Sequence, residues 1–243
     1  MVEIIVAPSY DAMSRVAADI MTTFINEKPH AVIGLATGTT PLGMYQQLIS
    51  DYTNKLVTFK DVRSYNLDEY CGLAPDHKQS YRYFMQDKLF NHIDINPHNT
   101  FVPDGKNTDV DAVCDAYEQD IIDAGGIDLQ LLGLGHNGHI GFNEPDNVFS
   151  PYTHVVTLSD STIDANSRLF SSRDEVPKCA YTMGIGTIMR AREILVIASG
   201  KGKASIVRDA FFGPITPRVP ASVLQLHQNV TVVLDEEAAS LCE

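Results

Sequence analysis

Apolar and polar positions fall into two kinds of block along this chain. Val2–Ala7 alternates weakly and is β-branched, which reads as a first strand, and nearly unbroken apolar runs stand at Ala31–Ala36, Ile127–Leu134, Glu193–Ser199 and Val230–Leu234. Runs of this kind suit strands buried on both faces of a parallel sheet. Val62–Leu67 is more mixed and reads as a further strand, with shorter ones near Thr100–Val102 and Thr153–Leu158. Between them the period changes. Tyr10–Glu27 places Ala12, Val16, Ile20 and Phe24 on one helical face, with Ser9 to cap the helix and Pro29 to stop it. Helices are also predicted over Leu42–Tyr52, Ser80–His92 and Asp109–Ala124, the last with Val113, Tyr117, Ile121 and Ile122 facing inward. A polar helix follows over Ser159–Phe170, and Tyr181–Gly186 enters a short one. Another opens at the Ser199–Lys203 turn and runs to Phe211, and Pro220–Leu226 is a short helix before the last strand. Strands alternating with helices over the whole length predict an α/β fold: a doubly wound, mostly parallel, Rossmann-like sheet with helices on both faces. With no internal repeat and no linker-like shift in composition, residues 1–243 read as a single domain.

Charge narrows the partners. A net charge of −13 argues against nucleic acid and against an anionic membrane surface, and it requires any anionic substrate to be held by a few local cations. Cys71, Cys114, Cys179 and Cys242 are scattered without metal-ligand spacing, which fits reduced thiols in the cytoplasm. The N-terminus lacks the pattern of a secretory signal, and no apolar run reaches the length of a membrane span. The expected localisation is cytoplasmic.

Candidate chemistry gathers where strands end. The central run breaks at Gly133 and Gly135 into a turn that carries His136, Asn137, His139 and Glu144. Gly133–Gly138 matches G-x-G-x-x-G, but Gly141, Pro145 and Pro151 leave no helix to complete a dinucleotide fingerprint. Thr37, Gly38, Thr39 and Thr40 precede Pro41 at a helix start, where they either hold a phosphate or only cap the helix. A Walker loop is excluded because Met44 stands where its lysine belongs. Asp68 and Glu69 end the third long strand, and an Asp68 facing the crevice has the chemistry of a carbon base. Lys201 and Lys203 on a glycine turn read as a phosphate clamp. A metal held by His136, His139 and Glu144 would lack the helical H-E-x-x-H register, so the reading is metal-free and without cofactor. These residues together predict acid–base work on a small sugar phosphate.

LATGTTPLGMY at 35–45, NLDEYCGL at 66–73, LGLGHNGHIGFNEP at 132–145, ANSRLF at 165–170, VPKCAYTMGIGTI at 176–188 and the Gly200–Lys203 turn resemble the glucosamine-6-phosphate deaminase family. The likeness runs from the first strand to about Leu234 in unchanged order. Related 6-phosphogluconolactonases share the fold and a glycine-rich histidine loop but typically lack the F-N-E-P ending. The resemblance implies conversion of glucosamine 6-phosphate and water to fructose 6-phosphate and ammonia. It gives His139, oriented by Glu144, the role of acid–base in ring opening, and Asp68 that of proton carrier between C2 and C1. It assigns the phosphate to Thr37–Thr40, Arg168 and Lys203, with residues 154–177 as a flap that closes. Where some members carry aspartate this chain has Asn137, which shifts the tuning of His139 to Glu144. Members activated by N-acetylglucosamine 6-phosphate have basic residues in the segment matching Asn147–Val156. Asn147, His154 and Val156 at the aligned positions predict no such activation, and a monomer is favoured over a homo-oligomer. Two other readings stay in view: a lactonase that needs no Asp68, and a sugar-phosphate-sensing regulator domain. The regulator is ranked last because the chain starts directly at its first strand.

Overall fold

The computed structural model describes residues 2–158, 163, 164, 167, 170 and 172–242. The large sheet is built from β1 (Val2–Ala7), β2 (Val32–Leu35), β3 (Arg63–Asn66), β5 (Thr100–Phe101), β6 (Leu129–Gly133), β9 (Glu193–Ala198) and β10 (Val230–Asp235). Its order is β1-β10-β9-β6-β2-β3-β5, and every pairing is parallel. β6 is therefore central, as its apolar run requires: Leu131 and Leu132 are fully buried. Each contributes on the order of 2 kcal/mol by leaving water.

The helices are α1 (Tyr10–Glu27), α2 (Leu42–Thr53), α3 (Tyr81–Lys88), α4 (Val110–Asp123), α5 (Ile185–Met189) and α6 (Ala204–Phe211). α1 has the predicted bounds, and the Ser9 hydroxyl accepts from Ala12 N at its start. It packs on β1, β9 and β10 and against α2. α2 begins one residue later than a proline inside the first turn would place it, with Pro41 as its cap. Two predicted helices are shorter in the structure. α3 ends at Lys88, and Phe90–His92 continues as a 3-10 turn. The helix after Gly200 opens with a 3-10 turn at Lys201–Lys203.

Three expectations are corrected. Asp68 and Glu69 do not end the third long strand, which stops at Asn66; Asp68–Tyr70 is a separate strand, β4. It pairs antiparallel with β8 (Cys179–Thr182), which pairs in turn with β7 (His154–Thr157), forming a second sheet. Tyr181 and Thr182 thus belong to a strand rather than a helix entry. Ile122 does not face inward; it is 58% exposed, because the last turn of α4 carries it away from the packed stripe of Val113, Tyr117 and Ile121. Most of the helix predicted over Ser159–Phe170, including Arg168, lies outside the described residues.

Candidate active site

The carboxyl ends of β2, β6 and β9 open onto one cavity of about 250 Å³, which also takes Asp68 from the small sheet. Thr37–Thr40, Asp68, Tyr81, His136, His139 and Lys203 all line it. Asn137 and Glu144 stand behind His139 rather than in the wall, while Arg168 falls outside the described residues.

The pleat of β4 separates two adjacent carboxylates. Glu69 turns away from the cavity and caps α3, accepting from Tyr81 N at 2.9 Å and Arg82 N at 3.0 Å. Asp68 turns into the cavity, 7% exposed, and no hydrogen bond from a described residue reaches its carboxylate. Burial, with Glu69 adding its charge, pushes the Asp68 carboxyl up to about 8. A carboxylate so poised is a far stronger base than one in water.

His139 is oriented by a short relay. Glu144 Oε2 accepts from Asn137 Nδ2 at 2.5 Å, and Asn137 Oδ1 lies 2.7 Å from His139 Nδ1. A carboxylate only accepts, so the amide must present its NH2 to Glu144 and its carbonyl to the imidazole. The hydrogen on the ring is thereby fixed at Nδ1, which leaves Nε2 with a free lone pair. Glu144 Oε1 is 3.5 Å from Nδ1, an ion-pair separation rather than a hydrogen bond. Its carboxyl is held below the usual range, by His139 first and by the Asn137 amide as well. The His139 ring thus meets Asn137 directly, with Glu144 behind the amide.

Two glycines make room for this turn. A Cβ on Gly135 would sit 2.4 Å from the His139 ring. Gly141 has φ +58, and a Cβ there would meet Thr182 Oγ1 at 2.8 Å. Thr182 Oγ1 also accepts from Phe142 N at 3.0 Å, which pins the histidine loop to the strand paired with Asp68.

The anion side is braced by backbone. Lys203 Nζ donates to Leu134 O at 2.6 Å, and burial lowers its pKa. Asp235 anchors the turn that delivers it, accepting from Gly200 N at 3.0 Å. Lys201 is exposed and does not line the cavity, so the expected clamp of two lysines is reduced to one. The threonine turn is held by Tyr10, whose hydroxyl accepts from Gly43 N at 2.7 Å and lies 3.2 Å from Thr40 O. Tyr81 stands between this turn and Asp68, paired with Thr37 and Tyr70, and burial raises its phenol well above the ordinary value. Neither tyrosine was singled out from the sequence; each stands in the first turn of a helix that starts beside the site, a weak signal. Among the described residues no three His, Cys, Asp or Glu side chains converge as metal ligands.

A parallel α/β sheet with a threonine turn, a buried carboxylate and an oriented imidazole around a cavity at its carboxyl edge defines a doubly wound α/β protein. The family model of glucosamine-6-phosphate isomerases and 6-phosphogluconolactonases matches residues 8–233, and the chain belongs to that family. A glucosamine-6-phosphate deaminase of Clostridium perfringens (strain 13 / Type A) is 54% identical over 98% of both chains. One from Thermoanaerobacter sp. (strain X514) is 52% identical, over 98% of this chain and 94% of the relative. The solved structure of a monomeric glucosamine-6-phosphate deaminase is 48% identical. It superposes with a TM-score of 0.94 over 98% of this chain and 99% of that one. A 6-phosphogluconolactonase from Trypanosoma brucei, 22% identical with a TM-score of 0.78 over 99% and 98% of the two chains, shares the fold.

Proposed function

We propose that this protein is a glucosamine-6-phosphate deaminase of amino-sugar catabolism, converting glucosamine 6-phosphate and water to fructose 6-phosphate and ammonia. The observation that carries the reading is the shared cavity of Asp68 and His139, with Thr37–Thr40 and Lys203 in the same wall. In this reading His139 Nε2 takes the proton of the C1 hydroxyl and hands one to the ring oxygen, opening the pyranose. Asp68 then removes the C2 proton while the substrate ammonium gives a proton to the C1 carbonyl oxygen, and Asp68 returns its proton to C1, leaving a hydroxyl at C1 and an iminium at C2. Water adds to that carbon, the C2–N bond breaks and ammonia departs. Every proton moved starts and ends on substrate or water, so no cofactor or metal enters. The relatives named deaminase, at 52% and 54% identity over nearly the full chain, support the substrate class.

The phosphate belongs with Thr37, Gly38, Thr39, Thr40 and Lys203, joined by Arg168 from a flap over about 154–177. Closure of that flap on the phosphate would exclude water from the iminium until attack is aligned. The same reading treats residues 1–243 as one domain working as a cytoplasmic monomer. The monomeric relative supports the assembly state, and no helix among the described residues is long and apolar enough to cross a membrane.

A coupled assay of ammonia and fructose 6-phosphate, run with a chelator present, tests the whole. Turnover is expected with glucosamine 6-phosphate and none with 6-phosphogluconolactone. Asp68→Asn is expected to abolish ammonia release while leaving substrate binding within a few-fold. Near-normal turnover by that variant would remove Asp68 from its role, and hydrolysis of the lactone instead would make the protein a lactonase.

A further inference from the structure

His136 is the side chain of the histidine turn that the reaction leaves without a task. It lines the same cavity as Thr37–Thr40 and Lys203. Its Cε1 comes 3.9 Å from the point where a Cβ on Gly202 would stand. The two imidazoles of this turn are therefore held by different glycines: His139 lies over Gly135, and His136 lies beside the turn that delivers Lys203.

Charge makes a second partner there valuable. The chain carries a net −13, and the cavity already contains the carboxylate of Asp68. Among the described residues lining it, Lys203 supplies the permanent positive charge, and that ammonium also serves Leu134 O. The other titratable groups in the wall are Tyr81 and His139. Outside it, Lys201 and Glu237 flank the lysine turn, where Glu237 Oε2 accepts from Lys201 N at 3.2 Å. The threonine turn, Lys203 and Arg168 already serve the phosphate in the proposed reading, and a ring N–H from His136 adds a donor on the side of the lysine turn.

We propose that His136 is a further phosphate-binding and specificity-determining residue, its ring N–H donating to the phosphate of the bound amino sugar from the side of the Gly200–Lys203 turn. The proposal rests on the deaminase reading for the identity of the sugar. It makes His136 a reader of the phosphate, separate from the His139 chemistry, and it adds to the discrimination against an amino sugar without a phosphate.

The test compares wild type with His136→Ala, His136→Gln and His136→Arg. Steady-state rates use glucosamine 6-phosphate, with inorganic phosphate as a competitor. His136→Ala is expected to raise KM about tenfold with kcat changed less than twofold, and to raise the inhibition constant of inorganic phosphate in step. Gln is expected to restore part of the affinity through its N–H, and Arg most of it. Should the alanine variant fail to fold, the glutamine and arginine pair carries the comparison. Unchanged KM and inhibition constant would overturn the proposal, as would a fall in kcat at constant KM. If the wild type releases no ammonia, the deaminase reading fails by itself. Calorimetric binding of inorganic phosphate to wild type and His136→Ala then still decides the role of His136.

Discussion

An amide wedged between a carboxylate and an imidazole has one orientation open to it, and at Asn137 that orientation sets the tautomer of His139. Asn137→Asp keeps an acceptor at Nδ1 and is expected to hold kcat within about tenfold of wild type. Asn137→Leu removes the acceptor and is expected to cost about 100-fold or more, measured as ammonia release at saturating substrate. The relay was only partly legible in the sequence. Residue types and spacing brought His139 and Glu144 forward, but which of two neighbours meets the ring depends on a turn whose glycines fix it in three dimensions. Asp68 makes the complementary case. Its carboxyl binds protons in the folded state up to about pH 8 but in the unfolded chain only near 3.8, so its burial costs stability progressively as pH rises from about 4 to about 8. Asp68→Asn is therefore expected to raise the melting temperature at pH 8 by several degrees and to change it little at pH 4. A variant that melts lower at pH 8 would contradict the buried, charge-averse setting described for this group.

Among elements, β2, β6, β9 and β10 were legible because their apolar runs declare burial on both faces, while β1, β3 and β5 were read from weaker alternating, mixed or short runs. Of the small sheet only β7 was legible, read as a strand over Thr153–Leu158. β4 has three residues, is polar at Asp68 and Glu69, and finds its partner more than a hundred residues later at Thr182, Tyr181 and Ala180. Nothing local encodes a pairing at that separation. Helix starts were legible through Ser9, Ser80 and Asp109, each of which accepts a backbone N–H as its residue type predicts. The threonine turn shows what a helix start can also do for a neighbour. Tyr10, in the first turn of α1, closes the entrance to α2 through its bond from Gly43 N. Tyr10→Phe loosens that turn by one hydrogen bond, worth about 1 kcal/mol. The expected result is KM for the sugar phosphate raised by about fivefold with kcat nearly unchanged; an altered kcat at constant KM would assign Tyr10 to the chemistry instead.

At the scale of the molecule, the expected lack of activation concerns the region beyond the histidine loop. A second cavity of about 300 Å³ borders the site there, with Glu144, Asp146 and His154 among apolar neighbours such as Phe149 and Val156. Two carboxylates in that wall repel a phosphorylated effector. Rate curves are accordingly expected to be hyperbolic and insensitive to N-acetylglucosamine 6-phosphate, and sedimentation is expected to give one species at the monomer mass. Sigmoidal rates relieved by that compound, or a stable oligomer, would count against this account. Asp68 and His139, the proposed base and ring-opening imidazole, also belong to different sheets. The seam between these sheets is made by Met183 N donating to Leu67 O at 2.7 Å and by Thr182 holding the histidine loop. In the proposed reaction, the gap between these two side chains is thus set by the joint between the two sheets. Adaptation to a hotter or colder habitat has a place to act at that joint, stiffening or easing turnover while every reacting side chain stays as it is.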